Sequence, residues 1–187
     1  MSGVGDRILL YGYGNPGRGD DGLGPALVEA VAALDLPGTA VDANYQLAVE
    51  DAAEIGAYAT VVFADAALDG PAPFCFSRID DSTIERAGWR VGYLAGWTSH
   101  SVFPGQVVAL AHQLFGSQVG AYILGIRGYD FGELNEGLSA GATANLARAI
   151  AFVREALVER DFDYYAEAFG QAAAGPLTGS PTWKATP

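Results

Sequence analysis

Apolar positions along the chain follow two rhythms in turn. Residues 7–13 contain the continuous apolar run Ile8-Leu9-Leu10-Tyr11, the pattern of a strand buried on both faces. Residues 22–34 (GLGPALVEAVAAL) then place apolar side chains at helical spacing. A short β-like stretch follows at 38–43, a helix is expected from about 47 to 56, and Ala59 to Ala64 (ATVVFA) reads as a second core strand that ends at Asp65. Residues 73–79 and 90–96 are weaker strand candidates. Pro104, placed at a helical first turn, precedes GQVVALAHQLFG, a helix closed by Gly116. Ala121 to Ile126 (AYILGI) is another core strand, and residues 139–158 form a long amphipathic helix with Ser139 as its N-cap.

Strands alternating with helices predict an α/β fold: a three-layer α/β/α sandwich around a mostly parallel, twisted sheet of about five strands. The length of 187 residues suits one domain, read here as residues 1–160. Residues 161–187 are expected to be a loosely structured extension, because the sequence from Gly170 onward is dominated by Ala, Gly, Pro and Thr.

The turn after the first strand reads GYGNPGRGDDGLG, residues 12–24. Glycine-rich turns between a strand and a helix usually receive phosphate, because free N–H groups and the helix dipole favour an anion. Here Asp20 and Asp21 occupy that place themselves. The turn therefore presents carboxylate oxygens, as a metal would require.

Composition narrows the field. A formal charge of -12, with only ten Lys and Arg residues, argues against nucleic acid or an anionic membrane as partner. Cys75 is the one cysteine, which excludes an internal disulfide or a multi-cysteine zinc site, and its setting (Phe74-Cys75-Phe76) suits an inert buried thiol. No signal peptide pattern and no membrane-length apolar run is visible, so the expectation is a soluble cytoplasmic protein.

In parallel sheets the chemistry collects at the carboxyl ends of the strands. Asp20 and Asp21, Asp65, and His100 in the loop before Pro104 all fall at that edge. Two carboxylates and an imidazole make an open site for a divalent ion of borderline softness, such as nickel or zinc. Each also has a plainer reading. Asp20, Asp21 and Asp65 could cap helices, His100 could be a hydrogen-bonded structural histidine, and His112, in the middle of a helix, suits packing or surface.

Taken in order, GYGNPGRGDDGLGPALVEAV, VVFADAA, TSHSVFPGQVVALAHQLFG and YILGIRGYDFGELNEGLSAGATANLARAIAFV resemble the corresponding segments of the hydrogenase maturation proteases. These endopeptidases trim the C-terminus of the nickel-bearing large subunit of NiFe hydrogenases. The likeness spans residues 7–158. It implies that Asp21, Asp65 and His100 contact nickel, with Asp20 the next candidate and more suited to a helix cap. The nickel would be recognised in the precursor rather than held permanently, and no organic cofactor is implied. The partner implied is the large-subunit precursor. DANYQLAVEDA and GIRGYDF depart from the family pattern, in loops that could select the subunit accepted.

Rival readings are weaker. A peptidyl-tRNA hydrolase shares the GNPG turn, but residues 16–43 contain no histidine. Gly12, Gly14 and Gly17 satisfy G-x-G-x-x-G, yet the acidic pair would repel a pyrophosphate, and Asp42 comes late for a ribose contact. Because the sequence shows no G-x-S-x-G elbow and no H-E-x-x-H helix, a nickel-sensing assembly factor that does not cut remains a third reading.

Overall fold

The computed structural model describes residues 7–80, 102–132 and 135–170. In chain order it contains β1 (Ile8–Tyr13), a 3-10 turn (Gly19–Gly22), α1 (Leu23–Ala32), β2 (Thr39–Asn44), α2 (Asp51–Ile55) and β3 (Thr60–Ala67). There follow β4 (Phe74–Ile79), α3 (Pro104–Phe115), β5 (Gly120–Arg127), α4 (Ala140–Glu159) and α5 (Phe162–Gly170). The expected strand at 90–96 lies outside the described residues.

The strands form one five-stranded sheet in the order β2-β1-β3-β5-β4. β1 pairs in parallel with β2 and β3, and β3 with β5, whereas β4 runs antiparallel at the edge. β1 is buried from Ile8 to Gly12 because helices cover both of its faces. On one face Leu10, Val62 and Leu124 pack against Leu27 and Val31 of α1 and Phe152 and Val153 of α4. On the other, Leu9, Tyr11, Val61 and Phe63 pack against Ile55 of α2 and Val107, Val108 and Ala111 of α3. These are the three layers expected from the alternating pattern.

Local chemistry sets several boundaries. Pro104 opens α3, where the Gln106 side chain accepts a 3.1 Å hydrogen bond from the Phe103 N–H, and Gly116 closes the helix at φ 62°. Ser139 caps α4, its Oγ accepting from the Ala142 N–H at 3.2 Å. The helix expected over 47–56 is shorter, Asp51–Ile55, because residues 45–50 form the turn that leads into it.

The expected boundary at residue 160 needs correction. Residues 162–170 form α5, which covers the edge strand β4. Its Phe162 and Tyr165 are buried, and Phe152 meets Tyr165 at 5.4 Å and Phe169 at 5.0 Å between ring centroids. Asp163 accepts from Arg78 at 2.9 Å and from the Tyr122 hydroxyl at 2.8 Å, which ties the helix to β4 and β5. Covering an edge strand removes a site for unwanted strand pairing. The remainder of the expected extension, 171–187, lies outside the described residues.

Candidate functional site

Parallel pairing brings the ends of β1, β3 and β5 to one edge of the sheet. Along β1 and β3, Gly12 stands opposite Ala64, and Tyr11 meets Phe63 edge-on with ring centroids 6.0 Å apart. Side chains alternate along a strand, so Tyr13 and Asp65 lie two residues further on the same face. That is the face covered by α2 and α3. The Tyr13 hydroxyl is hydrogen-bonded to the Asp65 carboxylate, whose Oδ1 also accepts from the Ala66 N–H at 2.7 Å.

Asp21 reaches the same place from the turn. Its Oδ2 accepts from the Asn15 N–H at 2.8 Å, and its charge bears on both Asp65 and Tyr13. Gly14 permits this close return of the chain. It sits at φ 137°, and any Cβ there would collide with the Asp21 carbonyl oxygen. Sequence analysis thus identified two carboxylates, Asp21 and Asp65, that the fold brings together.

Their electrostatics suit a ligand that is not the protein itself. Burial pushes the Asp65 carboxyl up to about 7, and the neighbouring Asp21 charge adds to this. Hydrogen bonds from Tyr13 and Ala66 oppose the shift without cancelling it. Burial, together with the carboxylate of Asp65, also holds the Tyr13 phenol well above its ordinary range. A cation arriving here would displace the proton that burial favours on Asp65.

Asp20 behaves quite differently. Its exposure is 0%, and it accepts four hydrogen bonds: from the N–H groups of Tyr129 and Asp130 at 2.7 and 2.9 Å, and from the Ser139 N–H and Oγ at 2.7 and 2.8 Å. Burial alone would raise its carboxyl, but the bonds from Ser139, Tyr129 and Asp130 outweigh it and hold the group below the usual range. The expectation that Asp20 caps the next helix is corrected. The N-cap of α1 is Gly22, with no side-chain cap, and Asp20 instead meets the N-terminus of α4.

His100 lies outside the described residues. The chain is described again from Val102, which packs against the core layer beneath α3. Because α3 leads into β5 at the opposite edge, where the Gly120 N–H bonds the Ala59 carbonyl at 2.9 Å, its first turn lies toward the edge that carries Asp65. His112 faces that opposite edge, with its Nε2 3.1 Å from the Val119 carbonyl, in keeping with a packing or surface role. Cys75 is half-buried, its Sγ 3.7 Å from the Gly125 carbonyl, and burial pushes its thiol up, so it stays protonated. Asp42 accepts a bond from the Ala43 N–H next to it.

Sequence reasoning missed Tyr13, which appeared only as the last residue of a strand. The available signal was the period of two: Leu9, Tyr11 and Tyr13 share a face, and Tyr13 is the first of them beyond the apolar run. Among the described residues no three His, Cys, Asp or Glu side chains gather as a metal cluster. No helix among the described residues is long and apolar enough to cross a membrane.

Neither protein-family models nor curated proteins give a match to this chain. Solved structures do. An endopeptidase from Escherichia coli, determined in solution, superposes with a TM-score of 0.65 at 19% identity, over 83% of this chain and 94% of that one. The NiFe hydrogenase maturation protease HycI from Thermococcus kodakarensis KOD1 gives 0.61 at 22% identity, over 81% and 92%. The hydrogenase maturating endopeptidase HybD from E. coli gives 0.61 at 20%, over 83% and 94%. At these identities the likeness establishes architecture, and the chain has the fold of the hydrogenase maturation proteases.

Proposed function

We propose that this protein is a cytoplasmic endopeptidase that removes the C-terminal extension of a nickel-loaded NiFe hydrogenase large-subunit precursor. The observation that carries the reading is the pairing of Asp21 and Asp65 at the carboxyl edge of a sheet whose fold is that of such proteases. Nickel belongs to the substrate here. Asp21 and Asp65 would supply oxygen donors to it and His100 an imidazole, a donor set suited to a borderline ion.

The division of labour follows from the surroundings. Tyr13 and the Ala66 N–H orient the Asp65 carboxylate, and the Asn15 N–H orients Asp21. The raised Asp65 carboxyl gives up its proton when the cation docks, so recognition releases a proton. Docking the ion fixes the adjoining peptide beside the site, where a polarised water can attack the scissile carbonyl. The protonated Cys75 thiol makes a poor nucleophile, which favours water over a covalent route.

Incubating the purified protein with nickel-loaded precursor and weighing the large subunit by mass spectrometry tests this directly. Shortening is expected. An unchanged mass, with the precursor still bound, would favour the non-cutting assembly factor instead.

A further inference from the structure

A buried carboxylate that accepts four hydrogen bonds lies one residue from a site carboxylate. Asp20 is fully buried and makes no contact that would leave an oxygen available to a ligand. Its Oδ1 accepts from the Ser139 N–H, and its Oδ2 from Tyr129, Asp130 and the Ser139 hydroxyl. The backbone returns the contact, since the Asp20 N–H donates to the Asp130 carbonyl at 2.7 Å and the Gly19 N–H to the Asn135 carbonyl at 2.6 Å. Gly128 completes the fit, because a Cβ there would come 2.9 Å from the Asp20 Cβ.

The partner segment is itself braced. Asp130 accepts from the Gly132 N–H at 3.1 Å and from Asn135 Nδ2 at 2.7 Å, and the Gly128 N–H bonds the Ala67 carbonyl at the end of β3 at 3.0 Å. β3 also carries Asp65. The turn that bears Asp21 and the strand that bears Asp65 are therefore joined twice. One link is the β1–β3 pairing, and the other passes through Asp20 and the segment after β5.

We propose that Asp20 is a positioning residue, whose carboxylate fixes the turn backbone at Asp21 and thereby the spacing of Asp21 from Asp65. This rests on the reading of those two carboxylates as the nickel-contacting pair. The physical case is that Asp21 has few holds of its own. Among the described residues the Asn15 N–H is its side-chain donor, and its backbone N–H makes a long 3.4 Å bond to the Arg18 carbonyl. What sets its position is the residue before it. Partners that orient metal-contacting side chains are typically worth about 10–100-fold in metal affinity.

The test uses wild type, Asp20→Asn, Asp21→Ala and the double variant, each titrated with Ni2+ alone by calorimetry and melted in parallel. Asn keeps the shape of Asp20 but sets an amide N–H2 against the donors. It is expected to weaken Ni2+ binding about tenfold when Asp21 is present and less than about twofold when Asp21 is Ala. Its effect on melting temperature should be equal in both backgrounds. Equal losses of affinity in the two backgrounds, or none in either, would overturn the positioning role, since a merely structural residue acts without regard to Asp21. If Asp20→Asn fails to fold, Ser139→Ala removes one donor and leaves the carboxylate. A loss of about threefold, restored by Ser139→Thr, supports the role, and unchanged affinity overturns it.

Should wild type bind no Ni2+, the metal reading falls while the positioning claim remains decidable. The 13C carboxyl resonance of Asp21 then reports it. A shift in the Asp20→Asn or Ser139→Ala protein supports positioning, and an unmoved resonance overturns it.

Discussion

Asp20 and Asp21 are neighbours in sequence and opposites in environment. Asp20 is buried, accepts four hydrogen bonds and is held below the usual carboxylate range. Asp21 is half-buried, accepts one bond among the described residues, and faces a second carboxylate that burial has pushed up to about 7. A carboxylate whose acceptor capacity is filled by the protein builds architecture. One that the fold leaves under-satisfied, next to a like charge, is available to something that has yet to arrive. The adjacent acids thus divide into a mount and a tool.

The contrast can be broken most forcefully at the tool. Asp21→Ala or Asp65→Ala should reduce precursor processing by at least about a hundredfold while a cooperative melting transition is retained, because neither side chain belongs to the hydrophobic core. Timed cleavage assays beside thermal melts check this, and full activity in both variants would remove the pair from the site. At the mount the effect should fall on stability. Asp20→Ala removes the acceptor of three part-buried N–H donors and should cost about 2–3 kcal/mol in urea denaturation. A cost below about 1 kcal/mol would show that water replaces the carboxylate without penalty.

A smaller effect sharpens the electrostatic side. Asp65 titrates near 7 in the folded chain against an ordinary value of 3.8, so the native state holds a proton that the unfolded state releases between these limits. The sign follows: Asp65 makes stability fall as pH rises from about 4 to about 7. Asp65→Asn should flatten that slope and stabilise the fold at pH 8 by on the order of 2 kcal/mol, partial solvent access having reduced the effect. Denaturation midpoints of the two proteins at pH 5 and pH 8 measure it, and parallel pH profiles would contradict the raised carboxyl.

Much of the scaffold was legible because its signals are local. The apolar runs at Ile8–Tyr11 and Ala59–Ala64, the Pro104 start and Gly116 stop, and the Ser139 cap each fix an element from within a few residues. That the sheet is mostly parallel followed from alternation, whereas the strand order did not. The direction of β4 did not, since a strand pattern carries no polarity, and α5 was hidden by the low-complexity sequence that follows it. Its aromatics make sense only against Phe74, Phe76 and Phe152, which are remote in sequence.

The placement of the candidate carboxylates was legible in part for the same reason. Asp65 closes the apolar run of β3, two residues before the strand ends at Ala67, and Asp21 lies in the turn between β1 and α1, both positions that the sequence pattern marks. Which acid of the pair turns inward depends on Tyr129, Asp130 and Ser139, more than a hundred residues away. Tyr13 was missed because a strand-ending tyrosine looks like core until the register sets it beside Asp65.

The central claim is that Asp21 and Asp65 read a nickel ion carried by a precursor and direct its cleavage. The most direct measurement is the mass of the large subunit after exposure to wild type and to Asp21→Ala, with the precursor supplied nickel-loaded and nickel-free. The account predicts loss of the C-terminal extension in one combination, wild type with nickel-loaded precursor. Equal cleavage of nickel-free precursor, or undiminished cleavage by Asp21→Ala, would contradict it.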